Sequence, residues 1–131
     1  MKSEVLIGQA GEHLAACVLF EMGVKAAIAP TAGMDLIAFD DERVYRIEVK
    51  STRQYYPRHK KLYCWNTSRG SLKKKIISPK SCDIIALVAL DIRKVFFKNI
   101  SEITGKSTRL SANRFVDNCE QISWEDATAW N

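Results

Sequence analysis

No run in the 131 residues approaches the roughly 18 to 20 consecutive apolar side chains that a membrane span needs, which argues against a membrane partner. The start, Met1-Lys2-Ser3-Glu4, carries an acid ahead of its apolar residues and lacks the small-residue cleavage site of a secretory signal. No CxxC pair occurs among Cys17, Cys64, Cys82 and Cys119, and neither His13 nor His59 is spaced with a cysteine as zinc ligands are. Reduced thiols packed as small apolar residues in a cytoplasmic protein fit this usage. Acidic residues are missing from Lys50 to Lys80, where Lys50, Arg53, Arg58, Lys60, Lys61, Arg69, Lys73, Lys74, Lys75 and Lys80 are the only charges. After Arg114 the bias reverses, with Asp117, Glu120, Glu125 and Asp126 and no Lys or Arg. A one-sign basic block within a folded chain favours a polyanion, nucleic acid being the commonest, the alternative being a solvated loop.

What is present reads as one domain over residues 1–131, long enough to bury a core unaided. Ser3 caps a helix running to about Met22 and stopped at Gly23. Its apolar residues occupy most of the circumference, so the expectation is a largely buried helix. Gly8 and Gly11 weaken that helix and mark a place where another backbone or a ligand comes close. Strands are expected at Val24–Ala29, Met34–Phe39, Val44–Thr52 and Leu62–Asn66, and at Val95–Ile100. Ile84–Leu90 is a continuous apolar run, the pattern of a central strand buried on both faces. Trp124 to Trp130 forms a short closing helix or a docked tail.

The chemistry follows from register. If Met34–Phe39 and Val44–Thr52 form a hairpin whose turn is centred between Asp41 and Glu42, partner numbers sum to 83. Asp35 then lies opposite Glu48, with Cβ atoms roughly 5 Å apart. Lys50 shares the face of Glu48, one step along, while Ile47 and Val49 point into the core. Like charges placed opposite each other destabilise a sheet, so one acid keeps a proton or a cation sits between them. Mg²⁺ typically takes one or two carboxylates together with water and phosphate oxygens. Lys50 beside it could orient the attacking water or steady developing charge. Glu12 falls on the helical wheel among Val5, Ala16 and Leu19, where a carboxylate is costly unless paired. The alternatives are a surface Glu–Lys strand, a solvated helix face, and a three-residue loop that turns Asp35 away.

Glu12, then Gly33-Met34-Asp35, then Glu48-Val49-Lys50 resembles the PD-(D/E)xK nuclease superfamily of restriction enzymes, Holliday-junction resolvases and some intron-encoded homing endonucleases. Gly8-Gln9-Ala10-Gly11-Glu12 is similar to the first-helix motif of resolvase-like and intron-encoded members, and Met34 stands where the motif has proline. The resemblance implies an α/β, restriction-endonuclease-like core over roughly residues 3 to 100, a mixed central β-sheet flanked by helices in the order αβββαβ. It implies a Mg²⁺-dependent DNA endonuclease, with Mn²⁺ as a substitute, leaving 5′-phosphate ends. Asp35, Glu48 and the Val49 carbonyl would bind the metal, Lys50 would be the catalytic lysine and Glu12 an auxiliary acid. Gln54 matches an extra glutamine some members carry. Arg53, Arg58, Lys60, Lys61, Lys73, Lys74 and Lys75 are the expected phosphate contacts, with Tyr55, Tyr56 and Trp65 packing or touching sugars and bases. Asp83 reads as structural, paired to a lysine. A homodimer suits an enzyme that cuts both strands or a junction. A non-catalytic nucleic-acid-binding module and an RNA-processing nuclease are the alternatives.

Overall fold

The computed structural model describes residues 3–29, 34–52, 61–69 and 75–129. Helix α1 spans Glu4–Glu21, and the Ser3 hydroxyl accepts from the Leu6 amide at 3.2 Å. Gly23 follows at φ +85°, a left-handed turn that suits glycine. Only Ile7, Gly11, Ala15, Val18 and Leu19 are buried, while Val5, Leu6 and Phe20 stay exposed. The expectation of a largely buried helix is therefore corrected to a single buried stripe.

Strands β1 (Lys25–Ile28), β2 (Leu36–Phe39) and β3 (Val44–Thr52) form an antiparallel meander. The β2–β3 partners are Leu36↔Ile47, Ile37↔Arg46, Ala38↔Tyr45 and Phe39↔Val44, so the expected register holds over all four pairs. Asp40 sets the turn, its Oδ1 accepting from the amides of Glu42 and Arg43 at 2.9 Å each. Four short or medium strands follow: β4 (Leu62–Asn66), β5 (Ser68–Arg69), β6 (Lys75–Ile76) and the six-residue β7 (Ile84–Ala89). Strand β7 is buried at every position and runs parallel to β3, with Glu48 beside Ile85 and Lys50 beside Leu87. Then come β8 (Lys94–Asn99), β9 (Ser107–Ser111) and helix α2 (Cys119–Thr128). The main sheet has the order β1-β2-β3-β7-β8. Among the described residues, β4, β5 and β6 stand between β3 and β7 where the order αβββαβ expects a helix.

Three layers result. One face of the sheet packs Leu36, Ala38, Tyr45, Ile47, Ile84, Ala86 and Val88 against α1 and α2. Trp124 of α2 meets Tyr45 and Phe97 edge-on, with centroids 5.3 and 5.1 Å apart, so the closing tryptophan is a core residue. The other face packs Ile85, Leu87 and Ala89 against the antiparallel β4–β9 ribbon, through Tyr63, Trp65 and Leu110. Among the described residues, helices thus flank one face. At the β8 margin, the Val95 amide donates to Glu120 Oε2 at 3.2 Å and the Phe97 amide to Ser123 Oγ at 3.0 Å. Asn99 Nδ2 donates to the Ala127 carbonyl at 3.0 Å.

Two features lock β3 in place. A Cβ on Gly11 would stand 1.7 Å from Ser51 Oγ and 2.9 Å from Ser51 Cβ, so α1 rests on the strand with no room for a methyl group. Ser51 Oγ is buried there with no hydrogen-bond partner among the described residues. Gly8 meets nothing within 4 Å, so only the second glycine marks a close approach. At the foot of the strand, Asp83 pairs with Arg46 rather than a lysine. Its Oδ2 accepts from the Arg46 amide at 2.8 Å and its Oδ1 from Arg46 Nη2 at 3.0 Å. The guanidinium also donates to the carbonyls of Pro79 and Lys80. Burial raises the Asp83 pKa, but the Arg46 hydrogen bonds outweigh it and hold the carboxyl below its ordinary value.

Replacing Gly11 by Ala should destabilise the protein by about 1–3 kcal/mol, as overpacking does. Ser51→Ala should recover part of that loss in a double-mutant cycle read by urea denaturation, whereas strict additivity would remove the contact from the account. Because the Asp83 pKa is lowered, its pair contributes above the ordinary carboxylate range and is lost as pH falls through the folded value. Asp83→Asn should cost about 1–2 kcal/mol at pH 7, limited by the partial exposure of both side chains. The gap between parent and variant should close in acid. A gap independent of pH would show that the charge does not matter.

Candidate active site

Alternation along β3 separates the functional side chains. Ile47 belongs to the helix-side core, Val49 packs beside it, and Ser51 lies under Gly11. Glu48 and Lys50 therefore face the ribbon side, where their β7 neighbours Ile85 and Leu87 are buried. Glu48 is only 6 % exposed. Lys50 Nζ lies 3.3 Å from Glu48 Oε2 and donates to the Ser68 carbonyl at 3.4 Å. A carboxylate so deeply placed needs a cation, and Lys50 supplies one.

Asp35 sits one residue before β2, where the ladder to β3 begins to change. Its amide donates to the Ile47 carbonyl at 3.1 Å, and its carboxylate Oδ2 accepts from the Val49 amide at 2.8 Å. A side chain thus takes the place of a strand carbonyl. The N–H and C=O of one strand residue leave by the same edge, so the Val49 carbonyl also points past the last β2 pair. Glu12 is half-buried on α1, next to the Gly11 contact. Burial, and then the charge of Asp35, raise the Glu12 pKa, and His13 offsets part of the rise.

The residues singled out in the sequence form two halves. The charge of Asp35 acts on Glu12, and Glu48 pairs with Lys50 on the ribbon side. Val49, between them in sequence, is hydrogen-bonded to Asp35. Among the described residues, no three His, Cys, Asp or Glu side chains converge as a ready-made metal cage. Two carboxylates and a main-chain carbonyl are the kind of sparse oxygen set that suits Mg²⁺, which keeps most of its shell as water and phosphate. Glu48 is answered by Lys50 and Asp35 by the Val49 amide, and Glu12 is the acid whose pKa is raised.

No protein-family model and no curated protein sequence matches the chain. Solved structures do. A bacterial homing endonuclease, I-Ssp6803I, superimposes with a TM-score of 0.72 at 13 % identity, covering 98 % of this chain and 97 % of its own. The chain has a restriction-endonuclease-like fold. Hjc, a Holliday junction resolvase of Archaeoglobus fulgidus, superimposes with a TM-score of 0.50 at 14 % identity over 82 % of this chain and 86 % of that one. The resemblance noted in the sequence is thus met at the level of fold.

Of the expected phosphate contacts, Lys61 and Lys75 are exposed, Lys61 at φ +61° before β4 and Lys75 on β6 opposite Arg69. Arg53, Gln54, Arg58, Lys60, Lys73 and Lys74 lie outside the described residues, as do Tyr55 and Tyr56. Trp65 follows the packing reading: it is 2 % exposed and its Nε1 donates to the Val88 carbonyl at 3.0 Å. The Ser68 carbonyl was not foreseen as a partner of Lys50. The signal available in the sequence was Asn66-Thr67-Ser68, an asparagine-led bend immediately after a strand.

The raised Glu12 pKa destabilises the ionised state, so folding gains as pH falls through that window and loses as pH rises. In the absence of divalent cations, Glu12→Gln should melt above the parent at pH 7. Adding Mg²⁺ should raise the parent's Tm more than the variant's. A lower Tm for the variant at both conditions would show that the glutamate is structural.

Proposed function

We propose that the protein is a Mg²⁺-dependent DNA endonuclease, with Mn²⁺ able to substitute, that acts as a homodimer. The observation that carries this is the buried Glu48–Lys50 pair on β3 beside the Asp35–Val49 contact, within a fold shared with a homing endonuclease and a Holliday junction resolvase. Asp35, Glu48 and the Val49 carbonyl would hold the metal, with Glu12 as the auxiliary acid. When bound, the cation supplies Lewis-acid stabilisation of charge building at the phosphodiester.

The chain's own groups do the rest. An ammonium has three protons; two are directed to Glu48 and the Ser68 carbonyl, and the third is left for a phosphate oxygen or the attacking water. Asp35, fixed on the Val49 amide through one oxygen, keeps the other for the site. Glu12 takes up a proton more readily than an ordinary glutamate, through its burial and the charge of Asp35. Exposed Lys61 and Lys75 belong to the basic segment that would neutralise the DNA backbone, joined by Arg53, Gln54, Arg58, Lys60, Lys73 and Lys74.

Cleavage of plasmid, single strands, flaps, four-way junctions and RNA, with no metal, Mg²⁺ or Mn²⁺, tests this reading. The parent should cut DNA only with metal and leave 5′-phosphate ends. Lys50→Ala and Asp35→Asn should each lose about 10²-fold or more in rate while still binding DNA. Equal cutting by parent and variants would remove the mechanism. DNA binding without cutting by the parent would replace the enzyme with a binding module of the same fold.

A further inference from the structure

Strand β4 runs into the bend Asn66-Thr67-Ser68 before β5 begins, and every polar group of the middle residue is used. The Thr67 amide donates to the Lys106 carbonyl at 2.9 Å, and its carbonyl accepts from the Ile77 amide at 3.2 Å. Its hydroxyl donates to the Gly105 carbonyl at 2.8 Å and accepts from Thr108 Oγ1 at 3.1 Å. Thr67 is fully buried, so these bonds have no water to replace them. Asn66 fixes the exit: its Oδ1 accepts from both the Ser68 amide, at 3.0 Å, and the Ser68 hydroxyl, at 2.5 Å. Ser68 is thereby held at its amide and its side chain, directly before the carbonyl that meets Lys50 Nζ. Ser68 is also the first residue of the β5–β6 hairpin, whose paired strands carry Arg69 and Lys75.

We propose that the Asn66–Ser68 bend is a positioning element for Lys50, holding its ammonium between Glu48 and the Ser68 carbonyl at the root of the basic hairpin. This rests on the reading of Lys50 as the catalytic lysine. Asn66 touches neither substrate nor reacting atoms and acts through the Ser68 carbonyl. Lysine has four rotatable side-chain bonds, and two fixed acceptors select one arrangement among them. The exposed Asn66 can be altered with little loss of core packing, and aspartate keeps the acceptor oxygen that the bend requires.

The test has two readouts. In the metal-free protein, the Lys50 Nζ proton–nitrogen correlation, assigned by its absence in Lys50→Arg, reports whether the ammonium is held. On a DNA substrate the parent cuts, single-turnover rate and DNA affinity are measured separately. Asn66→Ala should lose the Nζ signal and slow turnover about tenfold, while DNA affinity stays within about twofold. Asn66→Asp should restore both signal and rate. Ser68→Ala, which removes only the hydroxyl bond, should fall between parent and Asn66→Ala and covers the case in which that variant folds poorly. An unchanged Nζ signal, equal losses in the Ala and Asp variants, or weaker DNA binding with unchanged turnover would each overturn the proposal. A parent that cuts nothing, yet whose Nζ signal depends on Asn66, would remove the nuclease reading and leave the positioning element standing.

Discussion

Strand β3 is paired on both edges, antiparallel to β2 and parallel to β7, and covered on both faces. That constraint governs the rest of the molecule. A strand enclosed in this way has no neutral place for a charge, yet β3 carries Arg46, Glu48 and Lys50 at successive positions of one face. Each is answered individually: Arg46 by Asp83 and two carbonyls, Glu48 by Lys50, and Lys50 in turn by Glu48 and Ser68. The opposite positions, Tyr45 and Ile47, are ordinary core residues. A single strand is therefore apolar support for the helices and a row of ionised groups toward the ribbon.

The break just before β2 is what admits Asp35 to the edge of β3. Pairing stops at Leu36, so the Val49 amide is left for the Asp35 carboxylate, at the place where α1 brings Glu12 near. Had β2 continued in register, a strand carbonyl would have closed that position and no acid would reach it. The close seat of α1 on Ser51 matters for the same reason, because Glu12 follows Gly11 directly. A bulkier residue at the glycine would lift the helix and carry the carboxylate away.

Much of this was legible in the sequence where one force dominates. Strands β3 and β4 match their expected limits, and the Asp40 turn fixed the hairpin register because its centre determines every pair. The unbroken apolar run at Ile84–Ala89 marked the buried strand. Other features depend on tertiary partners and leave little trace. Strands β5 and β6 have two residues each, and β9, with Ser107, Thr108, Arg109 and Ser111, is almost wholly polar. Nothing local predicts that β9 covers a core through Leu110 alone. Helix α1 has apolar residues around its whole surface, and the sequence does not say which stripe the sheet selects. The basic neighbourhood of Trp65 left both packing and nucleic-acid contact open, and strand alternation puts it beside Tyr63 in the interior. The set Glu12, Asp35, Glu48 and Lys50 was visible as a set, but the bonds of Asp35 to the Val49 amide and of Lys50 to the Ser68 carbonyl were not.

Helix α2 does more than fill the core with Trp124. By directing Glu120 and Ser123 at the amides of Val95 and Phe97, it occupies with side chains the donors that a further strand would otherwise recruit. The sheet is thus terminated at that margin by chemistry and not by chain length. Removing helix α2 would expose apolar and hydrogen-bonding groups together along β8, the combination that turns a folded chain into a template for stacking on itself.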